Sequence, residues 1–338
     1  MKLAVVLFNL GGPDAPEAVE PFLRNLFDDP AILSVPWLIR KPLARLIAAR
    51  RAPVARVIYA KIGGRSPILE ETEAQARALE KALGEHETRV FIAMRCWKPF
   101  SDEAACAVKQ WGAERIVLLP LYPQFSTTTS GSSLVDWRRA SRSAGLEAPR
   151  SRICCYPLLP GFIEALAGLT RETLAKAQPE ISYRFLLSAH GLPERIVAKG
   201  DPYRWQVERT VAALVEELGI KDWAVCYQSR VGPLKWIGPG TDEEIRRAGA
   251  DGKGAIVVPI SFVSEHSETL VELDIDYGKL AREAGVPDYL RVPTVGARPE
   301  FIAGLAELVR QSLAQPVTTL GGGWECPAAH RGCGFAKE

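Results

Sequence analysis

Short runs of consecutive apolar residues recur along the chain at 3–10, 90–93, 115–121, 185–188, 223–227 and 255–260, each closed by turn residues and followed by a longer stretch of helical period. A run of this length with apolar side chains at successive positions reads as a strand covered on both faces, and strands alternating with helices imply parallel pairing. The pattern predicts a doubly wound α/β fold whose last helix spans 299–314. Three runs precede residue 165 and three follow it, so two similar α/β halves with a cleft between them are expected. Ligands of such sheets gather beyond the carboxyl ends of the strands, which makes the residues immediately after each apolar run the informative ones.

Composition narrows the class of molecule. The chain has 338 residues, 47% hydrophobic and 24% charged, enough for one large or two medium globular domains. A net charge of +2 is too mild to suggest a nucleic-acid partner on charge alone. The apolar start at 1–10 is too short to span a bilayer, lacks a basic leader with a small-residue cleavage site, and runs into Gly11-Gly12-Pro13; it reads as a buried first strand. No later stretch reaches the roughly 18 apolar residues of a membrane span, so a soluble or at most surface-attached protein of the reducing cytoplasm is expected. In that setting the seven cysteines (Cys96, Cys106, Cys154, Cys155, Cys226, Cys326 and Cys333) read as thiols or metal ligands.

Histidine is scarce, with only His86, His190, His266 and His330, so its placement carries weight. His190 ends the buried run Leu186-Leu187-Ser188-Ala189, and Gly191-Leu192-Pro193 turns the chain away behind it. A hydrogen-bonded core histidine is the ordinary reading of such a residue; the turn favours an imidazole presented at a strand edge. A helix starting near Ser264 would carry Glu268, Glu272 and Asp276 four residues apart on one face. Like charges at that spacing repel, and taken alone they read as a solvated acidic face. That reading weakens because Leu270, Val271, Leu273 and Ile275 make the other flank apolar and the ladder begins just past a strand end. Imidazole with carboxylate suits a divalent first-row metal, leaves coordination positions open for a substrate, and can accept protons. A third region, Arg50-Arg51, Tyr59 and Lys61-Ile62-Gly63-Gly64-Arg65-Ser66-Pro67-Ile68, has neither a Walker pattern nor GxGxxG. Its arginines beside an aromatic residue suit a flat ligand bearing carboxylates, with ordinary surface arginines as the alternative.

Five motifs in order, Asn9-Leu10-Gly11-Gly12-Pro13, Ile62 through Ile68, Ser188 through Pro193, Tyr227-Gln228-Ser229-Arg230-Val231-Gly232-Pro233, and Phe262 through Leu273, resemble the ferrochelatase family from residue 3 to about residue 315. The resemblance implies two Rossmann-like, chelatase-like domains with a porphyrin cleft between them: 1–165 with a porphyrin-covering lip at about 32–68, 166–315 carrying the metal site, and a Gly- and Cys-containing tail at 316–338. It implies insertion of Fe2+ as substrate into protoporphyrin IX, giving protohaem and two protons. His190 matches the family's active-site histidine and Glu268 its partner carboxylate, while His266, Glu272 and Asp276 match a proton or iron relay. Arg51, Tyr59 and Ser66 match porphyrin-contacting positions, and Phe8, Arg95 and Trp236 are further pocket-wall candidates.

The segment 122–128 contains no cysteine, which excludes an animal-type iron–sulfur cluster. The resemblance leaves room for a different bacterial arrangement, in which Cys326 and Cys333 of the tail join one or both of Cys154 and Cys155 around a 2Fe-2S cluster. Residues 32–51 mix Leu, Ile, Val and Trp37 with Arg40, Lys41, Arg45, Arg50 and Arg51, as a lip touching a membrane surface would, although a lid or plain surface helix has the same composition. The rival readings are a coproporphyrin ferrochelatase, a cobalt or other tetrapyrrole chelatase, and a non-enzymatic tetrapyrrole-binding protein. The sequence assigns no oligomeric state.

Overall fold

The computed structural model describes residues 1–84, 87–230, 232, 234–319 and 326–335. His86, Val231, Pro233 and residues 321–325 of the expected tail therefore lie outside the described residues. Among the described residues the strands form two parallel sheets. The first contains β1 (Lys2–Asn9), β2 (Glu87–Met94), β3 (Arg115–Pro120), β4 (Arg150–Ile153) and β9 (Val317–Thr318), in the order β2-β1-β3-β4-β9. The second contains β5 (Tyr183–His190), β6 (Trp223–Gln228), β7 (Gly254–Pro259) and β8 (Tyr289–Arg291), in the order β6-β5-β7-β8. The doubly wound expectation holds, and each of the six predicted runs is a strand.

Three strands escaped the apolar pattern, and all lie toward sheet edges. β4 (Arg-Ser-Arg-Ile) alternates, β8 is three residues long and β9 two, each too short or too polar to register as a run. β9 shows that 316–338 is not wholly a tail: Val317 and Thr318 pair with Arg152 and Ile153, returning the chain to the first sheet.

Burial explains the consecutive apolar residues. Along β1, Leu3, Val5 and Leu7 enter one core while Ala4, Val6 and Phe8 enter another against Phe91 and Trp137, as alternate side chains of a strand covered on both faces must. The first of these cores belongs to both sheets. Leu187 and Ala189 of β5 and Ile256 and Val258 of β7 meet Leu3, Val5 and Leu7 through helices Ile68–Ala82, Pro160–Leu174, Tyr203–Leu218 and Pro299–Ser312. Polar bonds cross the same junction: Gln75 Nε2 donates to the Val263 and Gly296 carbonyls at 2.7 and 3.0 Å, and Ser264 Oγ donates to Gln75 Oε1 at 3.0 Å. Gln124 Nε2 reaches the Ile260 carbonyl at 3.1 Å, and Gln206 Oε1 accepts the Phe125 N–H at 2.7 Å. A buried amide left without such partners costs about 1–3 kcal/mol, so these bonds fix how the loops beyond β3 and β7 sit against one another.

Candidate active site

β5 delivers His190 to the sheet edge and Gly191 makes the sharp exit possible, because a Cβ there would lie 2.8 Å from the Gln228 carbonyl oxygen. The imidazole Nδ1 donates to the Gly191 carbonyl at 2.6 Å, an acceptor-only partner that assigns the proton to Nδ1 and turns Nε2 outward. Nε2 lies 3.6 Å from Glu268 Oε2. His266 approaches the same oxygen with its own Nε2, also at 3.6 Å, while its Nδ1 is held by the Ser264 carbonyl at 3.1 Å. Glu268 thus stands between two imidazoles whose outer nitrogens are anchored to backbone. The His190 and Glu268 side chains are 40% and 30% exposed, open enough for a ligand to reach both. Phe262, a residue sequence reasoning had placed only within a motif, sets its ring against both imidazoles, with centroids 6.5 Å from His190 and 4.7 Å from His266.

Glu268 opens a π-helix, Glu268–Asp276, and not the α-helix expected to start near Ser264. Ser264 is committed to Gln75, and the wider turn is closed by the Tyr277 N–H on the Glu272 carbonyl, five residues back. Glu272 is the most heavily held rung of the ladder: it accepts the Ser229 N–H at 2.8 Å, the Ser229 hydroxyl at 2.5 Å, Gln228 Nε2 at 3.2 Å and the Tyr277 hydroxyl at 3.0 Å. Ser229 adopts φ +59°, a left-handed conformation uncommon outside glycine and asparagine, while its N–H and hydroxyl both reach the one carboxylate. Asp276 lies farther out, paired with Lys61 Nζ at 2.7 Å. Tyr59, two residues earlier and buried, accepts the Ser267 hydroxyl at 3.4 Å. The carboxyl end of the lip helix, Trp37–Ala60, is therefore fastened to the helix that carries the carboxylates.

Charge is distributed unevenly along this ladder. Burial pulls the His190 pKa down, but the charge of the adjacent Glu268 carboxylate and the Gly191 carbonyl outweigh it and raise the value to about 9. Burial pushes Glu268 up, and the two imidazoles more than reverse this, holding it well below the usual carboxylate range. Glu272 is raised, first by burial and then by the neighbouring Glu268 charge. At neutral pH the centre is an imidazolium–carboxylate pair with a more weakly acidic carboxyl behind it.

The other expected site residues scatter. Arg51 is exposed on the lip helix, its guanidinium 5.6 Å over the Phe27 ring. Ser66 is buried against the 9–13 turn: its N–H donates to the Pro13 carbonyl at 2.8 Å, and a Cβ on Gly12 would sit 2.5 Å from its own Cβ. Phe8 is a core residue with its ring 5.8 Å from Trp137, so it does not form a cleft wall. Arg95 is bound to Asp29 at 3.0 Å and to Ser132 at 2.7 Å. Trp236 lines an open cavity of about 590 Å³ that also touches Ser229, Arg230, Glu272 and Tyr277.

The structure brings the four singled-out cysteines together. Cys154, Cys155 and Cys333 share a buried apolar pocket with Phe125 and Val317, and Cys326 and Phe335 pack against it. The Cys154 thiol interacts with Cys155 and Cys333, which with burial lifts its pKa well above the ordinary thiol value; Cys326 is raised in the same way, first by Cys333 and then by burial. Gln206 Nε2 donates to Cys326 Sγ at 3.3 Å and Cys155 Sγ at 3.5 Å. Among the described residues no group of three or more His, Cys, Asp or Glu side chains converges on a point suited to one metal ion.

The ferrochelatase family profile matches residues 2–313. A ferrochelatase of Phenylobacterium zucineum is 56% identical over 339 aligned residues, covering 98% of this chain and 98% of its own, and one of Caulobacter vibrioides is 54% identical over 98% and 97%. Among solved structures, SirB from Bacillus subtilis with Fe3+ superposes with a TM-score of 0.55 at 15% identity, covering 93% of this chain and 96% of its own. The sirohydrochlorin chelatase SirB of Bacillus subtilis subspecies spizizenii in complex with cobalt does so with a TM-score of 0.55 at 13% identity, covering 94% and 97%. At such identity these two likenesses concern the fold.

The imidazolium pair carries a pH signature. A raised histidine pKa stabilises the fold fully below its unfolded value near 6.5, and that contribution disappears as pH rises through about 9. Glu268→Gln removes the dominant raising charge and leaves burial to act. In NMR titrations the His190 ring should titrate near 9 in the native protein and at or below about 6.5 in the variant; an unmoved titration would show that Glu268 does not set the charge of His190.

Proposed function

The chain belongs to the ferrochelatase family, and from that premise we propose that it inserts Fe2+ into protoporphyrin IX to form protohaem, with His190 and Glu268 as the catalytic, metal-binding pair. The observation that carries the reading is the meeting of His190 Nε2 and Glu268 Oε2, 3.6 Å apart and both accessible, with a second imidazole behind the carboxylate. The porphyrin is a flat apolar disc with two propionates, and Arg51, exposed on the lip, serves as a propionate partner, with the buried Tyr59 and Ser66 as the further porphyrin-contacting positions.

The charge state dictates the order of events. A metal ligand must offer a lone pair, and His190 holds a proton on each nitrogen at neutral pH. Iron arriving at the pair displaces the Nε2 proton, which leaves along the relay of His266, Glu272 and Asp276. Metallation removes two more protons from the pyrrole nitrogens, and the same route through His266, Glu272 and Asp276 conducts them toward the surface. Asp276, paired with Lys61 at 2.7 Å and half exposed, puts the outer end of the ladder at the solvent.

The gathering of the four cysteines supports a 2Fe-2S cluster as a resident cofactor, with these thiols as its candidate ligands. Each iron of such a cluster takes two thiolates, and Cys154, Cys155, Cys326 and Cys333 are gathered in one largely apolar pocket without a disulfide among the described residues. A bound cluster would supply iron–thiolate bonds to Cys154, Cys155, Cys326 and Cys333. The lip is the membrane-contacting surface. Trp37, Leu38 and Ile39 are 60%, 67% and 57% exposed beside Lys41 and Arg45, and no helix among the described residues is long and apolar enough to cross a bilayer. In this reading the protein works in the cytoplasm and meets anionic lipid only at the membrane surface.

The first test is anaerobic incubation with ferrous iron and protoporphyrin, followed by haem absorption, with coproporphyrin in parallel. The native protein should make protohaem, His190→Ala should lose at least about 100-fold in kcat while still quenching with bound porphyrin, and Glu272→Gln should be slowed less. Preference for coproporphyrin would transfer the reading to that substrate, and porphyrin binding without insertion would leave a binding protein. For the cluster, anaerobically reconstituted protein should contain iron and acid-labile sulfide with visible absorption that Cys333→Ser abolishes; protein devoid of sulfide would exclude it. For the lip, the protein should float with phosphatidylglycerol-containing vesicles but not with pure phosphatidylcholine, and Trp37→Ser with Ile39→Ser should prevent this; indifference to lipid charge and to both changes would refute it.

A further inference from the structure

The π-helix is a costly element, and something must hold it open. Its hydrogen bonds close five residues back, a geometry rare enough to occur mostly as single turns at functional sites. Relaxation toward an α-helix would rotate residues on one side of the turn relative to the other. Glu268 stands at the amino end, so its aim at His190 depends on both flanks of the turn being fixed.

One side chain grips both flanks. Arg291, the last residue of β8, donates from Nε to Asp274 Oδ1 and from Nη2 to Asp274 Oδ2, both at 2.7 Å, and from Nη1 to Glu265 Oε1 at 2.6 Å. Glu265 immediately precedes His266, and Asp274 lies two residues before the end of the π-helix. The Arg291 side chain is 10% exposed, and Glu265 also accepts the Thr294 N–H at 3.0 Å. Two positions before Arg291, the Tyr289 hydroxyl donates to the Leu273 carbonyl at 2.7 Å, a second peg from the same strand. β8 is itself paired with β7, so the grip is rooted in the sheet that also positions His190.

We propose that Arg291 is a positioning residue for metal insertion, holding the π-helix in register through its bidentate bond to Asp274 and its bond to Glu265 so that Glu268 faces His190. The assignment rests on the iron-insertion reading. It requires the planar, forked donor set of arginine; a lysine ammonium is a single point charge and cannot span the two carboxylates in the same geometry. The expected cost of its removal is that of losing an outer support of a metal centre, about 10–100-fold in activity.

The test compares native protein with Arg291→Lys, Arg291→Gln and Asp274→Asn, measuring kcat and KM for iron insertion and, by mass spectrometry, amide hydrogen exchange over 266–277. Native protein should insert iron. In Arg291→Lys and Asp274→Asn, kcat should fall about 10–100-fold with the porphyrin KM within about twofold, and exchange should quicken within 266–277 while the rest of the chain keeps its protection. If Arg291→Gln does not fold, the other two variants decide, since the Asp274 side chain is already 36% exposed. Native kcat in the folded variants, or lost kcat with unchanged exchange over 266–277, would overturn the proposal. An inactive native protein would instead overturn the iron-insertion reading, and the exchange measurement would still decide whether Arg291 holds the helix.

Discussion

A carboxylate between two imidazoles is the arrangement around which the second sheet is organised. Glu268 is partly withdrawn from water, and its charge is sustained because His190 and His266 approach one of its oxygens, each at 3.6 Å. One histidine comes from the end of β5 and the other from the loop beyond β7, so the pair exists only while two neighbouring strands and the helix that follows keep a common register. The π-helix supplies that register at the price of weaker intrinsic stability, and the side chains at its outer face belong to the machinery as much as those at its inner face.

The same requirement explains why the two sheets share a core. A cleft enzyme needs its walls placed to a fraction of an ångström, and here the first sheet is bound to the second by a common apolar interior and by the buried amides of Gln75, Gln124 and Gln206. Lys61 and Tyr59 add a smaller attachment at the surface, where the end of the lip helix meets the carboxylate ladder. The lip is therefore coupled to the site: a movement of its apolar face would be felt first at Asp276 and Ser267.

Much of this was legible in residues alone where the signal was local. Consecutive burial on both faces made β1, β3, β5 and β7 visible, and the Gly191-Leu192-Pro193 turn after an apolar run marked His190. β4, β8 and β9 were not visible because these strands, at or next to a sheet edge, are short or half polar, and their conformation is imposed by the neighbours they pair with. The helix type was misread for a related reason: four-residue spacing suits an α-helix, and the π-turn arises from outside contacts such as those of Asp274 and Leu273 to β8. Phe8, apolar and near a strand end, looked like a cleft wall and is instead core, since only the packing of Trp137 against it tells which side of the sheet is covered.

The sequence by itself determined the alternation of strand and helix, the place where an imidazole leaves a sheet, and the order of motifs that marks the family, because each is written in contiguous residues. Tertiary structure alone decided which distant groups meet. Cys154 and Cys155 come within reach of Cys326 and Cys333, Lys61 closes on Asp276, and Arg291 spans Glu265 and Asp274, pairings separated by many residues in the chain. The approach of Glu268 to His190 is another such meeting and sets the charge of the imidazole, while Arg291 bears on the helix beside it. Such meetings depend on burial and on distances of a few ångströms, which a linear pattern of residue types does not contain.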